Sequence, residues 1–317
     1  MNKRFIITIL TIPLILYGIY SYFVLHYKML YMNVEYPMWL EIKNRIHNQN
    51  DINYSVIMVG DSRAKAGYIP NILNKYFKSL NLSLGGGSPI EGFYTLKTYL
   101  ENHQKPKKLI LSYTPTHLGG DSCYWERTVY FDFLDDKTYQ TIERQAKELN
   151  ETVIIKDNKS YKDFKYPKVY SSSFKNGIRD MRWEKNRVVY QECKRGHGHH
   201  FFGTKEKATR LNVEAHEKDF IPSALQNYYL EKMIMLAKKR NIEVYFYNMP
   251  FNESSYKKVN PQYKEDFEKH ISKIAQKYHI KLCNKLWYLK NENFGDPSHL
   301  YRGARLNTLK IYNCIKD

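Results

Sequence analysis

Residues 5 to 25, FIITILTIPLILYGIYSYFVL, form an apolar run without a charged side chain. From residue 54 the pattern changes to short apolar segments separated by amphipathic ones. Tyr54-Ser55-Val56-Ile57-Met58-Val59 ends at Gly60, as a buried parallel strand does. Leu80 to Leu84 reads as a second strand and leads into Gly85-Gly86-Gly87. Ser88-Pro89-Ile90-Glu91 then offers an N-cap serine, a proline at the first helical position and the glutamate of a capping box, so a helix is predicted to start there. Strands three and four are predicted at Lys108 to Tyr113 and Ile242 to Tyr247. Asn260-Pro261 opens a helix with Phe267, Ile271, Ile274 and Tyr278 at helical spacing, and Lys281-Leu282-Cys283 suggests a fifth strand. Tyr228, Tyr229, Met233 and Leu236 form a core stripe on another helix. Strands alternating with helices predict an α/β fold, a parallel five-stranded sheet flanked by helices on both faces.

The rhythm breaks from about 116 to 222, a tyrosine-rich, charged stretch with an amphipathic helix near 139 to 149. Structureless loops of that length are rare in compact domains, so a helical insertion is expected. It departs after the third strand. Ligands of open parallel sheets bind beyond the carboxyl ends of the strands, which puts the insertion in position to roof a site.

At 1.5 Å per residue a helix over 5 to 25 spans about 30 Å, the hydrocarbon thickness of a bilayer. A cleavable leader has a shorter apolar core and a small-residue cleavage site, and Ser21 to Tyr27 offers none. The expectation is therefore an uncleaved transmembrane anchor over 1–28, in contact with the bilayer through 5–25, followed by an extracytoplasmic domain over 29–317. Lys3 and Arg4 precede the span, so the N-terminus stays cytoplasmic and the protein is a single-pass membrane protein. Tyr17, Tyr20, Tyr22 and Tyr27 suit the outer interface.

The placement changes the meaning of the charge. The 317 residues carry 50 Lys+Arg against 32 Asp+Glu, a formal +18. Nucleic acid is the usual partner of a basic surface, but an extracytoplasmic domain rarely meets it, so anionic lipid heads and anionic envelope polymers are the expected counterparts. With 43% hydrophobic and 15% aromatic residues, disorder and low-complexity classes are excluded. Cys123, Cys193, Cys283 and Cys314 form no C-x-x-C pair and do not by themselves assign a compartment.

Candidate chemistry gathers at the strand ends. Gly60-Asp61-Ser62-Arg63 sets a serine directly after the first strand, where a turn into a helix presents its hydroxyl and its own amide. Asp296-Pro297-Ser298-His299 sets a carboxylate three residues before an imidazole. A serine hydroxyl needs a base to take its proton, and the base needs an acceptor to hold its tautomer. Each motif alone is common by chance, whereas together at opposite ends of an α/β pattern they are specific. Asp61 is read as a structural brace of its turn. Arg63 and Arg305, with His199, are candidate contacts for an anionic substrate. His197, His199 and His200 sit close together, but no cysteine or paired carboxylate completes a ligand spacing, so neither metal nor cofactor is expected.

The sequence resembles the SGNH (GDSL-like) hydrolase and acyltransferase superfamily over 54 to 113 and 242 to 315, through GDSR at 60–63, NLSLGGGSP at 81–89 and DPSHL at 296–300. The apolar N-terminal segment and the mid-chain insertion look like its envelope branch, which works beside membrane-bound O-acyltransferases. The resemblance implies a flavodoxin-like fold with Ser62 as nucleophile, His299 as base and Asp296 as orienting acid. It also implies an oxyanion hole from the amides of Ser62 and of the glycine turn, Gly86 and Gly87. The superfamily's asparagine after the third strand is missing. Where it would stand the chain has Ser112-Tyr113-Thr114-Pro115, leaving Thr114, or Asn248 after the fourth strand, as replacement donors. Two functions fit: a serine esterase or O-acyltransferase acting on acetyl or D-alanyl esters of an envelope glycan or teichoic acid, and a non-catalytic accessory subunit that binds the polymer or a membrane acyltransferase.

Overall fold

The computed structural model describes residues 3–48, 52–120, 124–151, 167–204 and 219–316. Five parallel strands make the main sheet: β1 (Val56–Gly60), β2 (Ser79–Asn81), β3 (Lys108–Ser112), β4 (Glu243–Phe246) and, last along the chain, β6 (Lys281–Leu282). Their order is β2-β1-β3-β4-β6 and every pairing is parallel. This is the doubly wound order in which the connection reverses between β1 and β3, opening a crevice beyond their carboxyl ends. A short second sheet pairs β5 (Phe251–Asn252) with β7 (Tyr288–Leu289).

The strands are apolar on both faces because both are covered. Val56 and Met58 of β1, with Ile110 of β3, pack against Ala64 of α3 (Ser62–Gly67), Leu73 of α4 (Pro70–Leu73) and Ile311 of α13 (Ala304–Ile315). Ile57 and Val59 of the same strand face the other way, into a larger core. That core is built by α2 (Tyr36–His47), α5 (Pro89–Asn102), α10 (Ala224–Lys239) and α12 (Pro261–Tyr278). The helix foreseen at Ser88 is α5, and the Glu91 carboxylate accepts the Ser88 amide at 2.7 Å, closing the capping box. Burial pushes the Glu91 carboxyl above its ordinary range against the hydrogen bonds from Ser88 and Thr128. The second strand is shorter than the apolar run foreseen for it. Beyond Asn81 the chain still follows β1, Leu82 and Leu84 donating to Met58 and Gly60, while the Asn81 amide turns to His197.

The described part of the stretch between β3 and α10 carries α6 (Pro115–Gly119), a π-helical turn over Tyr124–Val129, α7 (Asp136–Glu148), α8 (Pro167–Arg179) and α9 (Arg182–Arg195), joined by turns and loops. The rest of the expected insertion, including Cys123, lies outside the described residues. α11 (Glu253–Lys258) follows β5. Cys283, just past β6, is disulfide-bonded to Cys314 of α13 across 31 residues, so two of the four cysteines staple the sheet's edge to the last helix.

The N-terminal run forms one helix, α1 (Lys3–His26), with Pro13 inside it. Among the described residues no helix is long and apolar enough to cross a membrane. Part of the run expected to span, residues 5–8 and 10, lies outside the described side chains. Leu14, Leu16 and Ile19 are nonetheless 70%, 59% and 62% exposed, apolar side chains with no cover among the described residues.

Candidate active site

The loop after β1 is shaped by contact with β3. A side chain on Gly60 would overlap the Ser112 carbonyl oxygen and stand 2.8 Å from the Ala64 Cβ, so only glycine lets the strand end there. Asp61 follows as the N-cap of α3. Its Oδ1 accepts the amides of Arg63 at 2.9 Å and Ala64 at 3.4 Å, and its Oδ2 accepts the Thr114 amide at 2.8 Å. Both oxygens are therefore used on backbone, one inside its own turn and one across to the end of β3. That geometry matches a brace. Ser62, the first residue of α3, is half-buried, and its amide makes no hydrogen bond among the described residues.

The second loop lies between Phe294 and Leu300, closed by an antiparallel bridge between them and by the Gly295 amide on the His299 carbonyl. Asp296 Oδ1 accepts the amides of Ser298 at 2.8 Å and His299 at 2.7 Å, and Oδ2 holds His299 Nδ1 at 2.8 Å. Burial raises the Asp296 carboxyl, but the hydrogen bond and charge of His299 and the two amides outweigh it, and the group is held below its ordinary range. With Nδ1 occupied, His299 Nε2 is buried and has no hydrogen-bond partner. The ring is stacked on Phe202, centroids 4.4 Å apart at 27°.

The two loops converge. Gly67 at the end of α3 sits against Leu300, with an added Cβ 3.3 Å from its Cδ1, and Arg63 interacts electrostatically with Asp296 as well as with Asp61. The Ser62 hydroxyl and His299 Nε2 are not hydrogen-bonded to each other, a common resting state of such pairs that tightens when substrate arrives.

The expected oxyanion donors fare differently. Gly86 adopts φ +65°, conformationally suited to glycine, and among the described residues nothing accepts its amide. The Gly87 amide instead donates to Leu84 at 3.0 Å, closing the turn, and so is removed from the donor set. The Thr114 amide is held by Asp61, and its hydroxyl faces the Thr116 hydroxyl at 3.1 Å. Asn248 is locked to Asn284 by reciprocal amide bonds of 2.8 and 2.9 Å. Neither replacement is aimed at a substrate.

His117, on α6 just beyond β3, was not singled out by the sequence. Its Nδ1 is buried without a hydrogen-bond partner. Burial pushes the imidazole below its ordinary range; Asp61 opposes this, while Arg63, Arg127 and His299 reinforce it. His117 thus interacts electrostatically with residues of both loops, from a position just beyond the end of β3.

No protein-family model matches the sequence, and no curated protein matches it. Two solved structures are similar over most of their length. One, provisionally named a platelet activating factor, is from Streptococcus pneumonia: it is 10% identical, covers 88% of this chain and 91% of its own, and has a TM-score of 0.45. The other, provisionally named an acylhydrolase, is from Bacteroides fragilis NCTC 9343: it is 10% identical, covers 86% and 92%, and has a TM-score of 0.36. Likeness at this level carries no functional argument.

The remaining candidates divide. Arg63 is buried at the site with its guanidinium over the Phe251 ring at 4.3 Å, and burial lowers its pKa to about 10 against the pull of Asp61, Tyr263 and Asp296. His199 is 9% exposed and its Nε2 lies 3.2 Å from the Ala66 carbonyl, so it is packed behind α3 and not presented to a substrate. Arg305 stands exposed on α13, and among the described residues no site group bonds to it. The three clustered imidazoles turn to different partners: His197 to the Tyr54 hydroxyl at 3.0 Å, His199 to Ala66, His200 to Glu192 at 3.5 Å. Among the described residues no group of side chains could hold a metal ion.

Three further residues reach the site from distant segments. Phe202, from the loop after α9, lies between Gly85 and His299. Its loop is pressed onto the Asp296–His299 loop at Gly203 and Gly295, where a Cβ on Gly295 would overlap the Gly203 carbonyl. Arg127 lies over Gly86 and pairs with Glu35, Nη2 to Oε1 at 3.1 Å, and Trp39 Nε1 donates to the Gly85 carbonyl at 3.1 Å. The glycine turn is thus held from outside by residues that follow α1.

Proposed function

We propose that the protein is a serine acyl-transfer enzyme of the SGNH type, membrane-anchored and extracytoplasmic, that removes or transfers an O-acyl group on a cell-envelope glycan or teichoic acid. One observation carries the reading. His299 has its Nδ1 fixed by an ionised carboxylate and its Nε2 buried and unbonded, at the end of the sheet where Ser62 begins a helix. An orienting carboxylate on one ring nitrogen and an open second nitrogen are what a general base needs.

The chemistry follows from that geometry. Ser62 Oγ attacks the ester carbonyl as His299 Nε2 takes its proton, and Asp296 stabilises the imidazolium. The oxyanion is met by the amides of Ser62 and Gly86 and by His117, which supplies the third donor as a neutral imidazole. The C–O bond breaks, the leaving alcohol takes the proton from His299, and acyl-Ser62 remains. Water, or a hydroxyl of the acceptor polymer, then attacks with His299 as base again and releases Ser62. Two observations support the location: the Cys283–Cys314 disulfide suits an oxidising compartment, and α1 displays uncovered apolar side chains directly before the domain.

The test is labelling of full-length protein with a fluorophosphonate probe, which reacts only with an activated serine. Modification confined to Ser62 and lost in Ser62→Ala is the expected result. Equal labelling of both proteins would rule the enzyme out and favour the accessory-subunit reading.

A further inference from the structure

Where α8 turns into α9 the insertion displays a cluster of apolar side chains. Ile178, Met181, Trp183 and Val188 are exposed at this corner, Met181 in the left-handed conformation that makes the turn. They have no cover within the described chain. Basic side chains surround them: residues 175–188 contain Lys175, Arg179, Arg182, Lys185 and Arg187 against Asp180 and Glu184. Lys175, Arg179, Lys185 and Arg187 are exposed.

The opposite side of the corner is bound firmly to the segment that leaves α1. Asn186 donates to the carbonyls of Met29 and Met32, both at 2.9 Å. A Cβ on Gly177 would overlap the Tyr31 backbone, so α8 approaches there as closely as a helix can. The Phe174 ring meets Tyr20, Phe23 and Tyr31 edge-on at 5.7 Å each. The corner therefore cannot swing independently of the foot of α1. Bulky apolar side chains interleaved with lysine and arginine are the chemistry of an interfacial surface, the apolar groups entering the headgroup boundary while the cations meet anionic lipid.

We propose that the α8–α9 corner is a second membrane contact, which docks onto anionic phospholipid beside α1 and lays the domain against the bilayer. It rests on the reading of α1 as an anchor. Charge complementarity selects the occupant, because a neutral surface has no use for the surrounding cations. The glycine turn then stands at a set height relative to the headgroup region, since Glu35 and Trp39, which hold it, follow the same segment.

The experiment uses full-length protein reconstituted into phosphatidylcholine vesicles with or without phosphatidylglycerol, each with brominated acyl chains that quench nearby tryptophan. In vesicles containing phosphatidylglycerol, wild type should lose emission that Trp183→Phe does not lose. The quenching should fall several-fold without phosphatidylglycerol and in the Lys185→Glu/Arg187→Glu variant. Turnover of a soluble ester in detergent should be unchanged in all variants, showing that they fold. Protein that floats with the vesicles while Trp183 stays unquenched would overturn the corner and leave the anchor standing. Quenching indifferent to phosphatidylglycerol would overturn the anionic contact, and a detergent-stable dimer that buries Trp183 would assign the corner to a second copy. Protein that does not float at all would overturn anchor and corner together, while fluorophosphonate labelling would still report on Ser62.

Discussion

Asp61 and Asp296 begin the two loops that meet at the site, and their first oxygens do the same thing. Each Oδ1 accepts the amides two and three residues on, Arg63 and Ala64 in one loop, Ser298 and His299 in the other. The difference lies in the second oxygen. That of Asp61 takes the Thr114 amide and ties β1 to β3; that of Asp296 takes an imidazole. The same local turn thus ties two strands in one place and orients an imidazole in the other, and only the neighbour beyond the turn distinguishes them.

The largest effect should come from removing what the second loop serves. Ser62→Ala and His299→Ala should each lower kcat by about 10⁶, and the double variant hardly further, because such residues act as a unit. Asp296→Asn should lower kcat by about 10⁴ with KM and Tm nearly kept, since an amide preserves the turn but cannot stabilise an imidazolium. Asp61→Asn should do the reverse, lowering stability by about 1–3 kcal/mol for a weakened buried bond while most of the rate survives. Steady-state kinetics and thermal melts of the two variants decide this. Loss of activity at unchanged Tm in Asp61→Asn, with Asp296→Asn active, would exchange the two roles.

A smaller effect sharpens the comparison from the β3 side. If His117 donates to the oxyanion, His117→Ala should lower kcat by about 10²–10³ with KM little changed, and His117→Gln should recover part of it. A drop in Tm without a kcat effect would make His117 a packing residue.

The smallest effect concerns histidines that serve architecture alone. Burial lowers His199 to about 3 and His200 to about 4, the latter helped by Lys65 and His299. In the unfolded chain these imidazoles bind protons below about pH 6.5. Their contribution is therefore complete above pH 6.5 and is lost as the pH falls towards 4 and 3, by at most about 1.4 kcal/mol per pH unit for each. Urea midpoints measured across that range should fall less steeply in His200→Asn.

The skeleton of this site was open to sequence reasoning because its signals are local. Gly60-Asp61-Ser62 follows an apolar run, Ser88 and Glu91 cap a helix three residues apart, and Asp296 lies one turn from His299; such pairs are set by short-range geometry. The amide commitments were hidden. Gly86 and Gly87 are equivalent in the sequence, and only the bond to Leu84 sets Gly87 aside. Phe202, Arg127, Glu35 and Trp39 arrive from separate segments through tertiary contacts that leave no pattern along the chain. Cysteine pairing was equally hidden, since β6 and α13 have to pack before Cys283 and Cys314 meet.

The bonds from Trp39 to Gly85 and from Glu35 to Arg127 have a practical consequence for producing the protein. A common way to obtain a soluble version of such a protein is to delete the first forty or so residues, on the assumption that everything before β1 is a tether. Here that cut would take away the indole and the carboxylate that hold the glycine turn and its covering arginine. Ser62, His299 and Asp296 would all remain in the shortened chain, and on the proposed function it should lose activity for want of a scaffold and not for want of a triad. Trimming within α1, before Tyr31, keeps that scaffold intact.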